Sequence, residues 1–172
     1  RMVPFFPLAR DAPVPPGVSG AHAEALLADK RMLVQLLDNA SVDDHELSFA
    51  PNSALRRYQQ EGVNWLQFLR RFGMHGILAD DMGLGKTLQT LCILAEALSG
   101  AGAGHQRCLI VCPNTLARHW ALEAAKHIPG SLLRPLVVQG PLQERLAQRA
   151  RLDASNMVVC SYETLRSDLE WF

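Results

Sequence analysis

Hydrophobic residues in this chain occur either in short continuous runs or at every third or fourth position. Short runs are typical of strands buried on both faces, whereas the wider spacing is typical of amphipathic helices. The runs predict four strands, at residues 76–79, 108–112, 136–138 and 157–160. Since helical spacing separates these strands, we predict an α/β fold in which helices cover both faces of a parallel sheet.

Helical spacing predicts six helices around and between these strands. The first is rich in alanine and leucine, which favour helix. Asn52 or Ser53, whose side chains can accept a backbone N–H, is predicted to cap the second. The helices are predicted at 21–37, 55–72, 87–98, 115–127, 141–152 and, in a short final helix, around Leu165 and Leu169.

Composition along the chain indicates three parts. Five prolines within residues 1–20 disfavour helix, so an extended segment is predicted there. Residues 21–51 contain the first helix, interpreted as a brace, and then an acidic stretch at 41–51 that is predicted to be a solvated connector. Residues 52–172 hold all four predicted strands and form the main domain.

Overall composition changes this interpretation little. With 172 residues, 48% hydrophobic and 20% charged, the chain suits one sizeable globular domain. Its formal net charge is zero, so any contact with nucleic acid must come from a local surface rather than a basic field. We find no signal peptide and no apolar stretch long enough to span a bilayer, and we expect no membrane partner.

The four cysteines, Cys92, Cys108, Cys112 and Cys160, all fall within apolar runs. None forms a C-x-x-C pair. A metal site built from the last three is the alternative, since two of them share one face of a strand, but no further histidine or cysteine completes it. We therefore expect buried, reduced thiols that pack the core.

The strongest chemical signal is a glycine-rich stretch between the first predicted strand and a helix. Its glycines let the backbone curl, so that N–H groups and the helix N-terminus face a phosphate. Lys86 can then reach the β- and γ-phosphates, and Thr87 can hold Mg²⁺ through its hydroxyl. The alternative, a chance turn that caps a helix, does not explain G-x-G-K-T at this place. The predicted nucleotide-binding residues are Asp80, Asp81, Met82, Gly83, Leu84, Gly85, Lys86 and Thr87, with Lys86 and Thr87 also catalytic.

Ligands of parallel sheets collect at the carboxyl ends of the strands. The loops at these ends are residues 80–87, 113–115, Gly140 and 161–162, and we predict that all lie on one edge. Their hydroxyls, amides and backbone N–H groups suit non-specific phosphate contacts, but such groups also occur at any β–α turn. Both interpretations stay open at this point.

The glycine-rich stretch, with Asp80 in place of the first glycine of G-x-x-x-x-G-K-[ST], resembles motif I of Swi/Snf-type helicase-like ATPases. Residues 55–66, L-R-R-Y-Q-Q-E-G-V-N-W-L, resemble the adenine-recognising motif of that family. This resemblance places Gln59 at the adenine edge, which an amide can both donate to and accept from. It also implies a RecA-like sheet, of which this chain is a partial lobe.

Motifs Ia and Ib of the same family resemble residues 109–120 and 158–166, in the expected order. In that family both loops grip the backbone of double-stranded DNA. The resemblance therefore implies a set of DNA-contacting residues. They are Pro113, Asn114, Thr115, Ser161 and Tyr162.

Several details resemble the branch of the family that removes TATA-box-binding protein from promoter DNA. They are residues 58–66, the H-G-I-L-A-D-D-M at 75–82, Gly140-Pro141 with Glu144-Arg145, and the final D-L-E-W-F at 168–172. This implies a nuclear, ATP-dependent double-stranded DNA translocase that remodels protein–DNA complexes and regulates transcription. TATA-box-binding protein would be held by helical repeats outside this chain.

In this family an acidic D-E-x-H box follows motif Ib, which places it just after Phe172. The resemblance implies the first half of a motor lobe, either a fragment or a truncated gene product, without ATPase activity on its own. One alternative function is a non-catalytic scaffold that binds DNA or protein. Another is a small P-loop kinase, which lacks a recognisable acceptor-site lid here and does not explain the other motifs.

Overall fold

The structure, a computed structural model, describes Gly20, Glu24, Leu27, Val42 and residues 44–99 and 106–172. Glu24 and Leu27 are helical, whereas the rest of the predicted first helix lies outside the described residues. The predicted extended segment before Gly20 also lies outside them, as does most of the glycine-rich loop at 99–104. The fold can therefore be followed from the acidic stretch onward.

Within the described residues the chain forms five helices of at least six residues and three strands, which alternate after the first two helices. Two short 3₁₀ turns, Asn114–Leu116 and Leu152–Ala154, precede a helix and a strand. The helices are α1 (Arg57–Arg71), α2 (Lys86–Ser99), α3 (Ala117–His127), α4 (Leu142–Arg149) and α5 (Tyr162–Ser167). The strands are β1 (Cys108–Cys112), β2 (Pro135–Val138) and β3 (Met157–Ser161).

The three strands form one parallel sheet in the order β1-β3-β2. Met157 pairs with Cys108 on one side and with Pro135 on the other, so the strands start in register. Every residue of β3 is buried, as expected for the central strand of a sheet covered on both faces. The predicted α/β fold with a covered parallel sheet is confirmed.

Two hydrophobic clusters lie on opposite faces of this sheet. The larger one joins α1, α2 and α3 to the sheet and includes Val63, Leu91 and Val159. The smaller one contains Val158 and Cys160 of β3, against which Leu165 of α5 packs. Leu91, Val63 and Val159 are wholly inaccessible to solvent. Burial on both faces explains why the strand sequences are continuously apolar rather than alternating.

The predicted strand at residues 76–79 does not form. Ile77 in the middle of this run is 87% exposed, and no strand of the described part pairs with it. A strand needs a neighbouring strand to satisfy its backbone N–H and C=O groups. An apolar run alone does not provide that partner. The prediction of four strands was therefore wrong, and the described sheet has three.

The predicted cap of α1 was also wrong. Arg56 is the N-cap residue, and its backbone N–H donates to Gln59 Oε1 at 3.0 Å. Asn52 and Ser53 bind the carboxyl end of α3 instead, through the His127 carbonyl at 2.8 Å and the His127 Nδ1 at 2.8 Å. Asn52 uses its backbone N–H and Ser53 its hydroxyl for these contacts, so both residues bond the end of α3 rather than the start of α1.

The acidic connector is not uniformly solvated. Residues 44–50, which we call the docked segment, alternate between exposed and half-buried positions, and Leu47 and Phe49 pack against the larger cluster. Ser48 donates to Glu96 Oε2 of α2, from its backbone N at 2.9 Å and its hydroxyl at 2.8 Å. The prediction used only the acidic composition and missed this period-two pattern.

Other differences from the predicted elements are small. The helix predicted at 141–152 ends at Arg149, and Leu169 lies beyond α5 and is 67% exposed. None of the described helices is both long enough and apolar enough to cross a membrane.

Candidate functional site

The phosphate loop, residues 80–87, has the curled backbone that its sequence predicts. Gly83 and Gly85 have φ values of 86° and 81°, in the left-handed region that favours glycine. α2 begins at Lys86, directly after the second of these glycines. The loop therefore ends at a helix N-terminus, where backbone N–H groups and the helix dipole favour an anion.

The side chain of Lys86 bonds the first residues of the phosphate loop. Its Nζ donates to the carbonyl oxygens of Asp80 at 2.7 Å and Asp81 at 2.8 Å. Thr87 is half-buried in the first turn of α2, and Met82 at the tip of the loop is 97% exposed. The lysine cation thus lies along the loop, where it can be transferred from backbone carbonyls to a phosphate.

Gln59, which lies on α1, contacts the phosphate loop. It is 8% exposed, and its Nε2 donates to the Leu84 carbonyl at 3.2 Å while its Oε1 accepts from Arg56. A Cβ atom at Gly85 would overlap Gln59 Nε2, so glycine is required there for space as well as for φ. The structure brings the residue predicted to read adenine and the predicted phosphate loop together.

The loop suits a nucleoside triphosphate with Mg²⁺. A Cβ built at Gly83 would meet no atom within 4 Å, so the backbone there faces open space. The same short stretch carries the amino group of Lys86, the hydroxyl of Thr87 and the N–H groups that begin α2. These are donors and a hard oxygen ligand, the chemistry that phosphate and Mg²⁺ require.

A second group of predicted residues lines a pocket of about 570 Å³, which we call the strand-end pocket. It lies where β1, β2 and β3 end, and Gly140 and Arg145 contribute to its wall. The loops that follow β1, β2 and β3 therefore meet at one edge, as predicted, whereas no residue of the phosphate loop lines this pocket. The predicted DNA-contacting residues all line this pocket: Pro113, Asn114, Thr115, Ser161 and Tyr162.

A buried ion cluster lies beside this pocket, and it was not predicted from the sequence. Arg145 Nε and Nη2 donate to the two carboxylate oxygens of Asp168 at 2.7 Å and 3.0 Å, and Arg149 also pairs with Asp168. Bonding to Arg145 holds the pKa of Asp168 below its ordinary value, so this carboxylate stays ionised. Arg145 Nη1 also donates to the Gly140 carbonyl at 2.8 Å. The four-residue spacing of the two arginines was the signal available in the sequence.

Glu163 adds a negative charge to the strand-end pocket. A hydrogen bond from Ser161 lowers the pKa of Glu163, which keeps its carboxylate ionised. Ser161 also caps α5 by accepting from the Thr164 backbone N–H at 3.1 Å. Ser161 is therefore fixed by its own helix before any ligand arrives.

The cysteines lie in the hydrophobic clusters, as predicted. Burial raises the pKa of Cys92, Cys108 and Cys160 to about 11 each, so they are neutral thiols. Cys112 is buried as well, whereas Cys108 is half-buried, so the prediction of buried thiols holds for three of the four cysteines. Across the described residues there is no group of three or more cysteine, histidine or acidic side chains placed to hold a metal ion.

Comparison with known proteins identifies the class of protein. The family described as SNF2-related domain matches residues 58–172, which include the phosphate loop and the strand-end pocket. The chain therefore belongs to this family of helicase-like ATPases, and its resemblance to Swi/Snf-type ATPases is confirmed.

The most informative relatives are all named as TATA-binding protein-associated factors. The chain is 45% identical to BTAF1 of Arabidopsis thaliana, 38% to factor 172 of Homo sapiens and 34% to MOT1 of Saccharomyces cerevisiae. These alignments cover 99%, 99% and 98% of this chain but only 8%, 10% and 9% of the relatives. The chain thus spans about a tenth of the relatives it matches.

A solved structure supports the fold. The Sulfolobus solfataricus SWI2/SNF2 ATPase core in complex with double-stranded DNA matches with a TM-score of 0.63 and 30% identity. The match covers 74% of this chain and 25% of that chain. The predicted RecA-like partial lobe is therefore confirmed.

Proposed function

We propose that this chain is the ATP-binding part of an ATP-dependent double-stranded DNA translocase that remodels protein–DNA complexes. The observation that carries the proposal is the phosphate loop, with two left-handed glycines, a lysine bonded to two loop carbonyls and a helix N-terminus. ATP with Mg²⁺ supplies the driving force when bound. The roles of individual residues follow from where the fold holds them.

Lys86 binds the β- and γ-phosphates, and Thr87 holds Mg²⁺ through its hydroxyl. The N–H groups of residues 83–87 face the phosphates, and Asp80 and Asp81 fix the start of the loop through their carbonyls. Gln59 reads the adenine edge. It can do so without leaving the loop, because its amide keeps a second N–H and a second lone pair beyond those used for Leu84 and Arg56.

The strand-end pocket binds the DNA backbone. Its hydroxyl, amide and backbone groups suit phosphate oxygens, which carry no sequence information, and the neutral chain offers only a few such contacts. DNA binding should therefore be modest, independent of sequence and sensitive to salt. The ionised Glu163 in the wall disfavours deep entry of a phosphate and leaves the rim as the contact.

The whole protein is proposed to act in the nucleus and to free TATA-box-binding protein from promoter DNA. The support is that the three relatives described above are named as associated with that protein. The chain itself supplies the motor part only, and the target is held by helical repeats outside it. Residues 1–172 alone should neither bind TATA-box-binding protein nor displace it from a TATA-containing duplex in a gel shift.

Calorimetric titration of the purified chain with ATP and Mg²⁺ tests the nucleotide site. We expect weak binding that falls about tenfold in Lys86→Ala, since a charged donor to phosphate is lost. Lys126→Ala is the matched control, because Lys126 is exposed and distant in sequence from the loop, and it should bind as the wild type. No binding by the wild type, or equal binding by Lys86→Ala, would contradict the site.

Two further measurements test the division of labour. The chain alone should not hydrolyse ATP, with or without DNA, because the carboxylates of the D-E-x-H box are not among its residues. DNA-stimulated turnover by residues 1–172 that disappears in Lys86→Ala would show that the site is complete without them. A sequence-selective gel shift that survives high salt would indicate base recognition and argue against a translocase lobe.

A further inference from the structure

We propose that Gln89 is a positioning residue for the phosphate loop, and that Gly62 on α1 provides the space it needs. The inference rests on the proposed nucleotide site and adds to it two residues that make no contact with a phosphate. Gln89 lies on α2, one turn after Lys86, and Gly62 lies on the facing side of α1.

Gln89 bonds the first residue of the loop. Its side chain is wholly inaccessible to solvent, and its Nε2 donates to Asp80 Oδ2 at 3.2 Å. An ionised carboxylate only accepts hydrogen bonds, so the NH₂ group of the amide must face Asp80. The orientation of the amide is therefore fixed, with Oε1 directed toward α1.

Oε1 of Gln89 explains why residue 62 is glycine. A Cβ atom at Gly62 would overlap Gln89 Oε1, so any larger residue displaces the amide. The same Oε1 is buried without a hydrogen-bond partner among the described residues. A buried acceptor without a donor is unfavourable. Leucine or methionine would fill the same space without burying such an acceptor. The benefit of glutamine therefore lies in its bond to Asp80.

The bond to Asp80 acts on Lys86. The carbonyl of Asp80 accepts from Lys86 Nζ at 2.7 Å, so fixing Asp80 fixes the place from which the lysine reaches a phosphate. Further along the loop, Gln59 holds the Leu84 carbonyl. Two glutamine amides, one from each helix, thus hold the loop at two points before a ligand binds, which lowers the cost of ordering it.

Gln89→Met tests the role of the amide. It keeps the length and removes the donor, so backbone amides of residues 80–86 should exchange with solvent about tenfold faster, and ATP affinity should fall about tenfold. Exchange in the strands should not change. Gln148→Met is the control, because the Gln148 amide also makes hydrogen bonds, in its case to the backbone of Gln139, but lies on α4.

Gly62→Ala tests the space around the amide. Since Gln89 is chemically intact in this variant, faster loop exchange and weaker ATP binding would come from its displacement alone. Gly130→Ala is the matched control, because a Cβ there meets nothing within 4 Å. In Gln89→Ala the overlap is gone, so adding Gly62→Ala should cost nothing more; such non-additivity is the signature of two residues that act through one contact.

The outcomes separate this inference from the proposed function. If the wild type binds no ATP, the nucleotide site fails, but loop exchange in the ligand-free chain still decides the role of Gln89. If the wild type binds ATP and Gln89→Met and Gly62→Ala leave both loop exchange and affinity unchanged, the inference is overturned and the site stands. Additive effects of the Gly62 and Gln89 substitutions would also overturn it. Should Gln89→Met fail to fold, Gln89→Asn replaces it, since the shorter amide also loses the hydrogen bond to Asp80.

Discussion

Asn64 of α1 bonds the docked segment at two places, beside contacts from Gln60 and Arg57, and removing its side chain should loosen this part of the chain. Asn64 is 3% exposed. Its Oδ1 accepts from the His45 backbone N–H at 3.0 Å and from Gln60 Nε2 at 2.8 Å, and its Nδ2 donates to Asp44 Oδ1 at 2.8 Å. Asn64→Ala removes all three bonds at once.

The size of the effect follows from these three bonds. Two bonds between neutral groups contribute about 1 kcal/mol each, and a bond to a carboxylate contributes about 1.5–3 kcal/mol when buried. Asp44 is exposed and can bond water instead, so its share is small. We therefore expect Asn64→Ala to lower the free energy of unfolding by about 2–3 kcal/mol, and the melting temperature by about 4–12 °C.

Urea unfolding followed by circular dichroism measures the loss of stability, and hydrogen exchange at residues 44–49 shows whether it is local. Gln67→Ala is the control, since Gln67 is on the same helix but its Oε1 bonds only Arg70 at the surface. It should change stability by less than about 0.5 kcal/mol. A loss below that value for Asn64→Ala, or unchanged exchange at His45, would refute the assignment of Asn64 as an anchor of the docked segment.

Three other predictions concern acid, thiols and a helix end. Because Arg145 lowers the pKa of Asp168, the ionised carboxylate stabilises the fold above its unfolded pKa of about 3.9, and this contribution is lost as pH falls through the lower, folded pKa. Melting temperatures of wild type and Asp168→Asn should thus differ at pH 7 and converge in strong acid; a constant gap would contradict this. Cys92 and Cys160, with pKa values raised to about 11, should react slowly with a thiol reagent at pH 8 until urea unfolds the chain, whereas fast reaction in the native chain would show that they are not buried. Gly73→Ala should cost about 1 kcal/mol in urea unfolding, because Gly73 ends α1 with a φ of 63°; a neutral result would mean that the turn can change its conformation.

Local patterns predicted the elements whose stability depends on nearby residues. Helical spacing placed α2 within one residue at each end, and the apolar run of β3 within one residue. The glycines of the phosphate loop were also predictable, since the turn they make is local. The prediction of a strand at 76–79 was wrong because a strand depends on a partner far away in the chain. Its own three or four residues carry no information about that partner.

The buried polar contacts were the least predictable part of the site. Gln89 lies in L-Q-T-L-C, where the flanking Leu88, Leu91 and Cys92 are all buried. A polar residue on the apolar face of a helix is a signal that it has a partner, but the sequence does not say which. That the partner is Asp80, and that Gly62 makes room for the pair, depends on how α1 packs against α2. Such packing follows from the whole fold rather than from local spacing.

The position of β3 has a consequence for how this chain is made. β3 is the central strand, and β1 and β2 bond to it rather than to each other, yet it comes last of the three in sequence. While a ribosome synthesises the chain, β1 and β2 therefore remain without partners until residue 161 has left the exit tunnel. Until then, strands 108–112 and 135–138 have no partner among the described strands, and their apolar residues are exposed to aggregation and to chaperones. Folding of this sheet is thus delayed until its last strand is complete, and a nascent chain stalled before residue 157 should have helices but no sheet.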